Sequence, residues 1–469
     1  MNRKKLIVWT LTSFILLGSC KKQFLDLQPY DQVPLEEAIV DENSMQTAVN
    51  GMYSSLRAVD FFGRSVPIDG DLLADNIYIS PVNSNRYLPE LTYTYIETYS
   101  NVQNLWAEAY NTILRANNVI NSSIKGSDVA DQLRGEALTI RALSYFELVK
   151  FFALPYTSDP ASPGVPLVLT YDPHLKPARN TVGEVYQQIE ADLKQAYSLL
   201  NQNKNSSYVS KYVAQALLAR LYQAEGDWDN ALASAKDVFD NGGYSLVDSS
   251  SLVAYWANPY PVTNKQETIF EVEFDAIGNN GTDNLDAFYS QDGYGDALAT
   301  DDLYSKYSAT DARRNLIIPG NRGGIDVWVV NKYPNTTNPN GKDNTKIIRY
   351  AEVLMILAEA YNRKSDDANA RTILNLLAKR RDPQFAGYAS SGQALLNDIY
   401  LERRKELAFE GQRYWDLVRL NKDVVRDNST GNYQPFVPLT LQVSSPKRIF
   451  PIPKAELNVN PAVTQNPGY

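Results

Sequence analysis

Cysteine and histidine, which most metal sites and many catalytic sites require, are almost absent from this sequence. Its 469 residues include one cysteine, Cys20, and one histidine, His174. A disulfide needs a pair of cysteines, a structural zinc site needs several Cys or His ligands, and a Ser-His-Asp triad needs a suitably placed histidine. Counting alone therefore nearly excludes these classes of site, so we assign no metal-ligating residues and expect no cofactor. A structural calcium ion, which binds through oxygen ligands, is left open by this count.

Basic residues are not in excess, and no long apolar run follows the amino terminus. Lys and Arg total 45 against 54 Asp and Glu, a formal net charge of −9 that disfavours nucleic acid as a partner. After the first twenty residues no apolar stretch reaches the length of about 18 residues that a membrane-spanning helix needs. Tyrosine, in contrast, is abundant: 31 Tyr stand beside 15 Phe and 6 Trp, and each Tyr offers a ring face with a polar edge.

The first twenty residues have the organisation of an export signal. A basic segment, Met1–Lys5, precedes an apolar segment, Leu6–Leu17, that is too short to span a bilayer. The next residues, Leu17-Gly18-Ser19-Cys20, are similar to the lipobox of bacterial lipoproteins. The similarity implies that residues 1–19 are removed and that Cys20 is acylated and anchors the protein in a membrane. An ordinary signal peptide with an incidental cysteine is the alternative.

Helical periodicity dominates the chain after the signal. Apolar residues recur at helical spacing over Gln103–Ser123 and Asp128–Ala153, and the second segment is apolar nearly all round, as in a helix packed between neighbours. A tetratricopeptide-like pattern occurs twice, with the same offset between all corresponding positions: Leu218, Ala219, Tyr222, Ala231, Ala235 and Val238, then Leu357, Ala358, Tyr361, Ala370, Leu374 and Leu377. Chance amphipathicity is the alternative, which the shared register disfavours. We predict a mostly α fold, a tetratricopeptide-like α-superhelix with helix pairs near 103–153, 181–241 and 345–381.

Long stretches rich in Tyr, Asn, Gly, Pro and Asp separate the helical segments. They cover residues 60–100, 154–180, 244–344 and 421–469, and within them short β-strands are predicted at 268–274, 326–330 and 447–452. Loops of this length in a compact domain are usually functional. Because no low-complexity linker interrupts the chain, we expect residues 20–469 to form a single domain with long elaborated loops and a few short strands.

A dense charge pattern lies near the carboxyl terminus. Glu402, Glu406 and Glu410 are four residues apart, so they form one carboxylate stripe along a helix, beside Arg403 and Arg404. The two catalytic carboxylates of a glycosidase lie on opposite sides of a sugar, across a cleft, and not on one ridge. We therefore interpret the stripe as a buried ion-pair network that holds the last helices together.

Several separated motifs resemble those of the SusD/RagB family of Bacteroidetes. In chain order they are Cys20-Lys-Lys-x-Phe24-Leu25-Asp26-x-x-Pro29, Trp106-x-x-x-Tyr110-x-x-Ile113-x-x-Ala116-Asn117, Gly135-Glu136-Ala137-x-x-x-Arg141-Ala142-x-x-Tyr145-Phe146, Glu402-Arg403-x-x-Glu406-Leu407-x-x-Glu410-Gly411-x-Arg413-x-x-Asp416-Leu417-x-Arg419, Pro451-Ile452-Pro453 and Asn458-x-Asn460-Pro461-x-x-x-Gln465-Asn466-Pro467-Gly468-Tyr469. Their number and order make the resemblance far more specific than any one motif. It implies a surface-exposed outer-membrane lipoprotein with a tetratricopeptide-like superhelix, which captures a nutrient and caps a TonB-dependent transporter of the SusC type.

Three functions remain open at this point. The first is a lipoprotein that binds oligosaccharide or polysaccharide for uptake, as the resemblance most often implies, and the second is a binder of peptides or other small nutrients on the same scaffold. The third, an extracellular hydrolase, would need a cleft-facing acid pair or a metal site, and the sequence offers no clustered ligands for one. We expect a binding protein and not an enzyme. Exposed aromatic rings with hydroxyl-binding partners would favour a sugar, and a deep cleft with free backbone edges would favour a peptide.

Two loops concentrate aromatic rings and hydrogen-bonding side chains, at residues 75–87 and 283–294, and we predict that they meet on one side of the scaffold to bind the ligand. A sugar stacks its C–H face on an aromatic ring while Asn, Asp and Arg groups satisfy its hydroxyls. The predicted stacking rings are Tyr78, Tyr87, Tyr289 and Tyr294, and the predicted hydroxyl partners are Asp75 and Arg86. The second choice is the region of Trp256 and Tyr260, while Trp328 lies within a predicted strand and is not chosen.

Overall fold

The structure, a computed structural model, describes residues 38–469. The predicted signal peptide and the predicted lipid attachment at Cys20 lie outside these residues. None of the helices in 38–469 combines the length and the hydropathy that crossing a bilayer requires. That residues 20–469 form one domain stays a prediction.

Sixteen α-helices provide most of the regular structure between residues 38 and 469. Those of the first half are α1 (Glu42–Ser55), α2 (Ser65–Leu72), α3 (Leu88–Thr92), α4 (Ser100–Ile120), α5 (Asp128–Phe152), α6 (Val182–Leu199), α7 (Lys211–Glu225) and α8 (Trp228–Asn241). Those of the second half are α9 (Leu252–Trp256), α10 (Leu285–Tyr289), α11 (Asp301–Ser305), α12 (Tyr350–Arg363), α13 (Asp367–Arg381), α14 (Gly392–Glu406), α15 (Arg413–Arg419) and α16 (Lys454–Val459). The mostly α, tetratricopeptide-like fold predicted from the sequence is confirmed.

The two tetratricopeptide-like segments fold as packed helix pairs, α7–α8 and α12–α13. The turn within the first pair has the same backbone and capping features as the turn within the second. In the first turn Gly226 has φ of +81°, and Asp227 caps α8 by accepting a hydrogen bond from the Asn230 N–H. In the second turn Ser365 has φ of +62°, and Asp366 caps α13 in the same way. The constant offset between the two segments therefore extends through the turns as well as the helices.

The central helix of the superhelix is α5, which packs against α4, α6 and α1. Nearly all of its side chains are buried, and the buried polar ones have partners. Arg141 forms a bidentate ion pair with Asp192 of α6, at 2.8 and 2.7 Å, and Tyr53 of α1 donates a hydrogen bond to Glu136 at 2.8 Å. The prediction of a helix enclosed by its neighbours is confirmed.

Eight short strands form three antiparallel sheets between residues 38 and 469. They are β1 (Ile77–Ile79), β2 (Thr268–Val272), β3 (Ala297–Ala299), β4 (Ile317–Arg322), β5 (Ile325–Val330), β6 (Thr345–Arg349), β7 (Val424–Val425) and β8 (Thr440–Leu441). The largest sheet has the order β1–β3–β5–β4, in which Ile77 lies opposite Ala299 and Ala299 opposite Trp328. Strand β2 pairs with β6, and β7 with β8.

Two of the three predicted strands are confirmed, as β2 and β5, and the third is wrong. Residues 447–452 begin in a 3₁₀ turn, Pro446–Arg448, and continue without a strand partner. The Phe450 N–H instead donates to the carbonyl of Phe151, at the end of α5. The apolar alternation of this segment therefore reflects packing against a helix and not against a neighbouring strand.

The predicted carboxylate stripe is buried and centred on Glu406. This side chain contacts three guanidinium groups, those of Arg313 at 3.1 Å, Arg349 at 2.9 Å and Arg381 at 3.0 Å. Arg349 is the last residue of β6, directly before α12, and Arg381 is the last residue of α13. Arg313 lies just before β4. Glu406 therefore connects the helix pairs to the β-rich half of the chain.

The other two carboxylates of the stripe join the same network. Glu402 pairs with Arg313 at 2.5 Å, and Glu410 pairs with Arg349 at 2.6 Å. Helix α14 ends at Glu406, so Glu410 lies beyond the helix, just before the turn at Gly411, which has φ of +75°. The prediction of a buried ion-pair network is confirmed, although its third carboxylate is supplied by a turn and not by the helix ridge.

Candidate functional site

The two loops predicted to bind the ligand meet in the structure. The guanidinium carbon of Arg86 lies 3.8 Å from the ring centroid of Tyr294, and Arg86 Nη2 donates to the Tyr294 hydroxyl at 2.8 Å. Close by, the Ser84 N–H donates to an Asp296 carboxylate oxygen at 3.0 Å. The ends of the two loops therefore form one surface.

A carboxylate completes this surface. Asp283 accepts a hydrogen bond from Arg64 Nη1 at 2.7 Å, and the same oxygen lies 3.8 Å from Arg86 and 3.5 Å from the Tyr294 hydroxyl. The side chains of Asp283 and Arg86 are 44% and 35% exposed, so both keep hydrogen-bonding capacity toward solvent or a ligand. We call the partly exposed set of Arg86, Asp283 and Tyr294 the Arg86–Tyr294 surface.

Arg322, the last residue of β4, bonds to both predicted ligand-binding loops and so holds them against the sheet. Its Nη2 donates to the carbonyl of Tyr294 at 2.7 Å and to Asp296 at 3.0 Å. Its Nε donates to the carbonyl of Val82, in the first loop, at 2.7 Å. The positions of the loops are thus set by a shared side chain, which pre-organises the surface for binding.

Two of the predicted stacking rings, Tyr87 and Tyr289, are core residues. They are 1% and 0% exposed, and burial raises the pKa of both hydroxyls. Tyr87 packs edge-on against Phe288 and accepts a hydrogen bond from Arg64 at 2.9 Å, whereas Tyr289 stacks on Tyr333 with centroids 5.6 Å apart. The prediction that these rings are exposed loop residues is wrong, because they fill the second hydrophobic core of the molecule.

The predicted contacts Asp75 and Tyr78 are also buried and have internal partners. Asp75 forms a bidentate ion pair with Arg413 at 2.7 and 2.9 Å and lies 3.4 Å from Arg404. Burial alone would raise the pKa of Asp75, but these two guanidinium groups hold it below its ordinary value. The Tyr78 ring packs against Tyr433, and burial raises the pKa of Tyr78 to about 12. Their prediction as ligand contacts needs correction: they fix the base of the first loop.

A second aromatic platform, which sequence reasoning missed, lies on β5. The Trp328 ring is half-buried and stacks on Tyr304, with centroids 3.6 Å apart and planes inclined by 20°. Its Nε1 donates to Asp301 at 2.7 Å, and Asn432 donates to the other oxygen of Asp301 at 2.8 Å. The indole is therefore fixed in place with part of its surface free. The sequence did contain a signal for this ring. Side chains of a strand alternate between its two faces, and since Val327 is buried, the neighbouring Trp328 lies on the other, less buried face.

The second-choice region has one exposed ring, that of Tyr260, and one buried ring, that of Trp256. The ammonium of Lys332 lies 4.2 Å from the Trp256 ring centroid. His174 lies in an exposed turn, where its backbone N–H donates to the Asp172 carboxylate at 2.8 Å.

The chemistry of the Arg86–Tyr294 surface is that of non-covalent recognition. It presents a partly exposed aromatic ring, a cation and a carboxylate, which can stack against a C–H face and bond hydroxyl groups. Within residues 38–469, no group of three or more Asp, Glu, His or Cys side chains is placed to hold a metal ion.

Comparison with protein families gives two matches that together cover most of the chain. The model of the SusD family matches residues 303–469, and a model described as "starch-binding associating with outer membrane" matches residues 23–223. Among curated proteins, the chain is similar to a SusD-like protein of Formosa agariphila, with 25% identity and 100% of both chains covered.

Solved structures give the same result. A SusD superfamily protein from Bacteroides thetaiotaomicron has a TM-score of 0.83 and 27% identity, with 91% of this chain and 100% of that chain covered. A SusD-like carbohydrate-binding protein from Bacteroides vulgatus has a TM-score of 0.78 and 19% identity, with 90% and 97% covered, and so shares the fold.

Proposed function

The chain belongs to the SusD/RagB family, and we propose that it binds oligosaccharide or polysaccharide at the Arg86–Tyr294 surface. The family comparisons support a carbohydrate-binding role. The main support for placing the binding site here is that the two loops meet. Their contact brings the Tyr294 ring, the Arg86 guanidinium and the Asp283 carboxylate together, and each stays partly exposed. We propose that the chain binds this ligand without changing it chemically.

A peptide is the second candidate ligand, because β4 is an edge strand of the four-stranded sheet. A peptide could add to such an edge through backbone hydrogen bonds. The groups around Arg86 and Tyr294 favour the sugar. An aromatic ring beside charged side chains can bind a sugar ring and its hydroxyls, and this mode of binding does not use the backbone of an extended ligand. The first experiment is therefore affinity-gel electrophoresis of the purified protein in soluble starch, xylan, levan and galactan, followed by competition with a mixture of peptides.

Tyr294→Ala is expected to weaken binding of the retained polysaccharide about five- to tenfold, because one stacked aromatic ring is removed. The measurement is the dissociation constant from affinity gels or calorimetry, with the melting temperature as a check on folding. Since the ring is partly exposed, the melting temperature should change little.

Tyr171→Ala is the matched control, because Tyr171 is 55% exposed on a different loop and its removal should leave affinity unchanged. Trp328→Ala tests the second platform. If Trp328→Ala weakens binding and Tyr294→Ala does not, the glycan binds at the Trp328 platform and not at the Arg86–Tyr294 surface.

We also propose that acylated Cys20 anchors the protein to the outer membrane, facing the exterior, and that it delivers the glycan to a SusC-like TonB-dependent transporter. The lipobox-like segment before Cys20 and the family description "associating with outer membrane" support this proposal. Affinity purification from membranes in mild detergent should recover the transporter with the wild type. The Cys20→Ala variant should be soluble or unprocessed and should recover none. Recovery of the wild type alone in several detergents would contradict the partnership.

A further inference from the structure

Two adjoining cavities lie along α1, and neither is lined by Arg86, Asp283 or Tyr294. One has a volume of about 270 Å³ and is lined by Asn50, Tyr208 and Glu273, among others. The second has a volume of about 350 Å³ and is lined by residues that include Asn111 and Asn279. Arg57, two residues after the end of α1, lines both cavities, and we call the two together the Arg57 trough.

The lining of the trough suits a hydroxyl-rich ligand. Amide, carboxylate and guanidinium groups dominate it, and these are the donors and acceptors that pair with sugar hydroxyls. Three aromatic residues line the first cavity, and two of them, Tyr53 and Tyr208, are half-buried and pack edge-on with centroids 5.5 Å apart. A supported ring beside hydrogen-bonding groups is the combination already described at the Arg86–Tyr294 surface.

Acidic side chains slightly outnumber basic ones in the trough, because Glu108, Glu271 and Glu273 line it beside Arg57 and Arg115. Arg57 lies 3.7 Å from Asp275, and its guanidinium rests against the backbone of Gly278, where a side chain would collide with it. In the second cavity Glu108 and Arg115 supply one charge of each sign. Glu271 is paired with Lys346 and Arg57 with Asp275, so the remaining acidic excess is small. It disfavours a polyanion and is too small to select a polycation, which leaves a neutral sugar as the favoured ligand.

The trough is connected to the Arg86–Tyr294 surface by a single short segment. Asn280 lines the trough and donates to the carbonyl of Arg57 at 2.7 Å. Three residues further along, Asp283 is bonded to Arg64 at 2.7 Å and approaches Arg86. Three residues span at most about 11 Å, so the trough begins within that distance of the first site.

We propose that the Arg57 trough is a second saccharide-binding subsite, which holds the extension of a long neutral glycan whose one end lies on the Arg86–Tyr294 surface. This inference rests on the proposed function. It specifies the class of ligand as a neutral glycan that is longer than the Arg86–Tyr294 surface can cover. Short oligomers bind the first surface alone, and long oligomers bind both.

The test compares chain lengths. The polysaccharide retained most strongly in the affinity-gel panel is cut to its disaccharide and to its longest soluble oligomer, and each is titrated by calorimetry into wild type, Tyr208→Ala and Asn111→Ala. Tyr208→Ala should weaken binding of the long oligomer about two- to tenfold, as expected for one lost stacking ring, and Asn111→Ala should weaken it in the same direction. Binding of the disaccharide should be unchanged in both variants.

Tyr294→Ala separates failure of this inference from failure of the proposed function, because it should weaken both lengths. If Tyr294→Ala weakens both while Tyr208→Ala and Asn111→Ala weaken neither, the trough is not a subsite and the proposed function stands. If the trough variants weaken both lengths equally, the trough is not an extension of the first site. If wild type retains none of the polysaccharides, the proposed function fails and the trough fails with it.

Discussion

Replacing Glu406 by glutamine is expected to lower the free energy of unfolding by about 3–5 kcal/mol, the usual cost of removing one partner from a buried ion pair. Glu406 is shared by the guanidinium groups of Arg313, Arg349 and Arg381, all buried, and its removal leaves their charges undercompensated. Urea unfolding should show a lower midpoint with an unchanged slope. Asp248→Asn is the control, because it removes a carboxylate from an exposed ion pair with Arg380 and should leave the midpoint unchanged.

The effect of Glu406→Gln should also depend on pH in a defined direction. Burial would raise the pKa of Glu406, but the three guanidinium groups hold it well below its ordinary value. A carboxyl with a depressed folded-state pKa contributes stability above the unfolded pKa of about 4.3 and loses it as the pH falls toward the folded value. The difference between wild type and variant should therefore be constant from neutral pH down to the unfolded pKa and shrink below it. A variant as stable as wild type at neutral pH would show that Glu406 is not the centre of the network.

Gly70→Ala is expected to prevent accumulation of folded protein, or to destabilise it by more than the roughly 1–3 kcal/mol typical of overpacking. Gly70 lies in α2, where a Cβ atom would fall inside the backbone carbonyl of Gly411. The approach is tight from both sides, since a Cβ on Gly411 would lie 2.7 Å from Cα of Pro67. Backbone atoms cannot rotate away as a side chain can. Soluble yield and thermal melting would measure the effect.

Gly51→Ala is the matched control for this substitution. Gly51 lies inside α1, and the nearest atom to an added Cβ is the Arg115 Nη1 at 3.4 Å, an ordinary contact. Because the helical backbone suits alanine, this variant should be as stable as wild type or gain about 0.4–1 kcal/mol. If Gly70→Ala melts within a few degrees of Gly51→Ala, the two backbones do not pack as closely as the structure indicates.

Most of the helical fold could be predicted because each helix shows a pattern of apolar residues within its own short stretch of sequence. The spacing of buried residues in α7–α8 and α12–α13 is a property of the helix period, and the constant offset between the two pairs makes chance improbable. The segment 447–452 shows the limit of such reasoning. Its alternation is equally local, but whether it pairs with a strand or packs on α5 depends on neighbours that are distant in sequence.

The candidate site could be located in sequence but not resolved into residues. Composition singled out two loops that do meet in the structure, yet it could not tell which tyrosines face solvent. Tyr289 and Tyr294 are five residues apart in similar surroundings; the first fills a core and the second meets Arg86 at the surface. Asp75 was misjudged for the same reason, because its partners Arg404 and Arg413 come from near the other end of the chain.

The stacking of Arg86 on Tyr294 has a consequence for how firmly a sugar can be held. One face of the ring is already covered by the guanidinium, so a sugar that uses that face must first displace a favourable internal contact. The contribution of that ring face to the affinity is then the difference between two stacking interactions, and when the sugar leaves, the guanidinium returns to the ring face. An internal contact that competes with the sugar favours moderate affinity and rapid release, which is compatible with the proposed delivery of the glycan to a transporter.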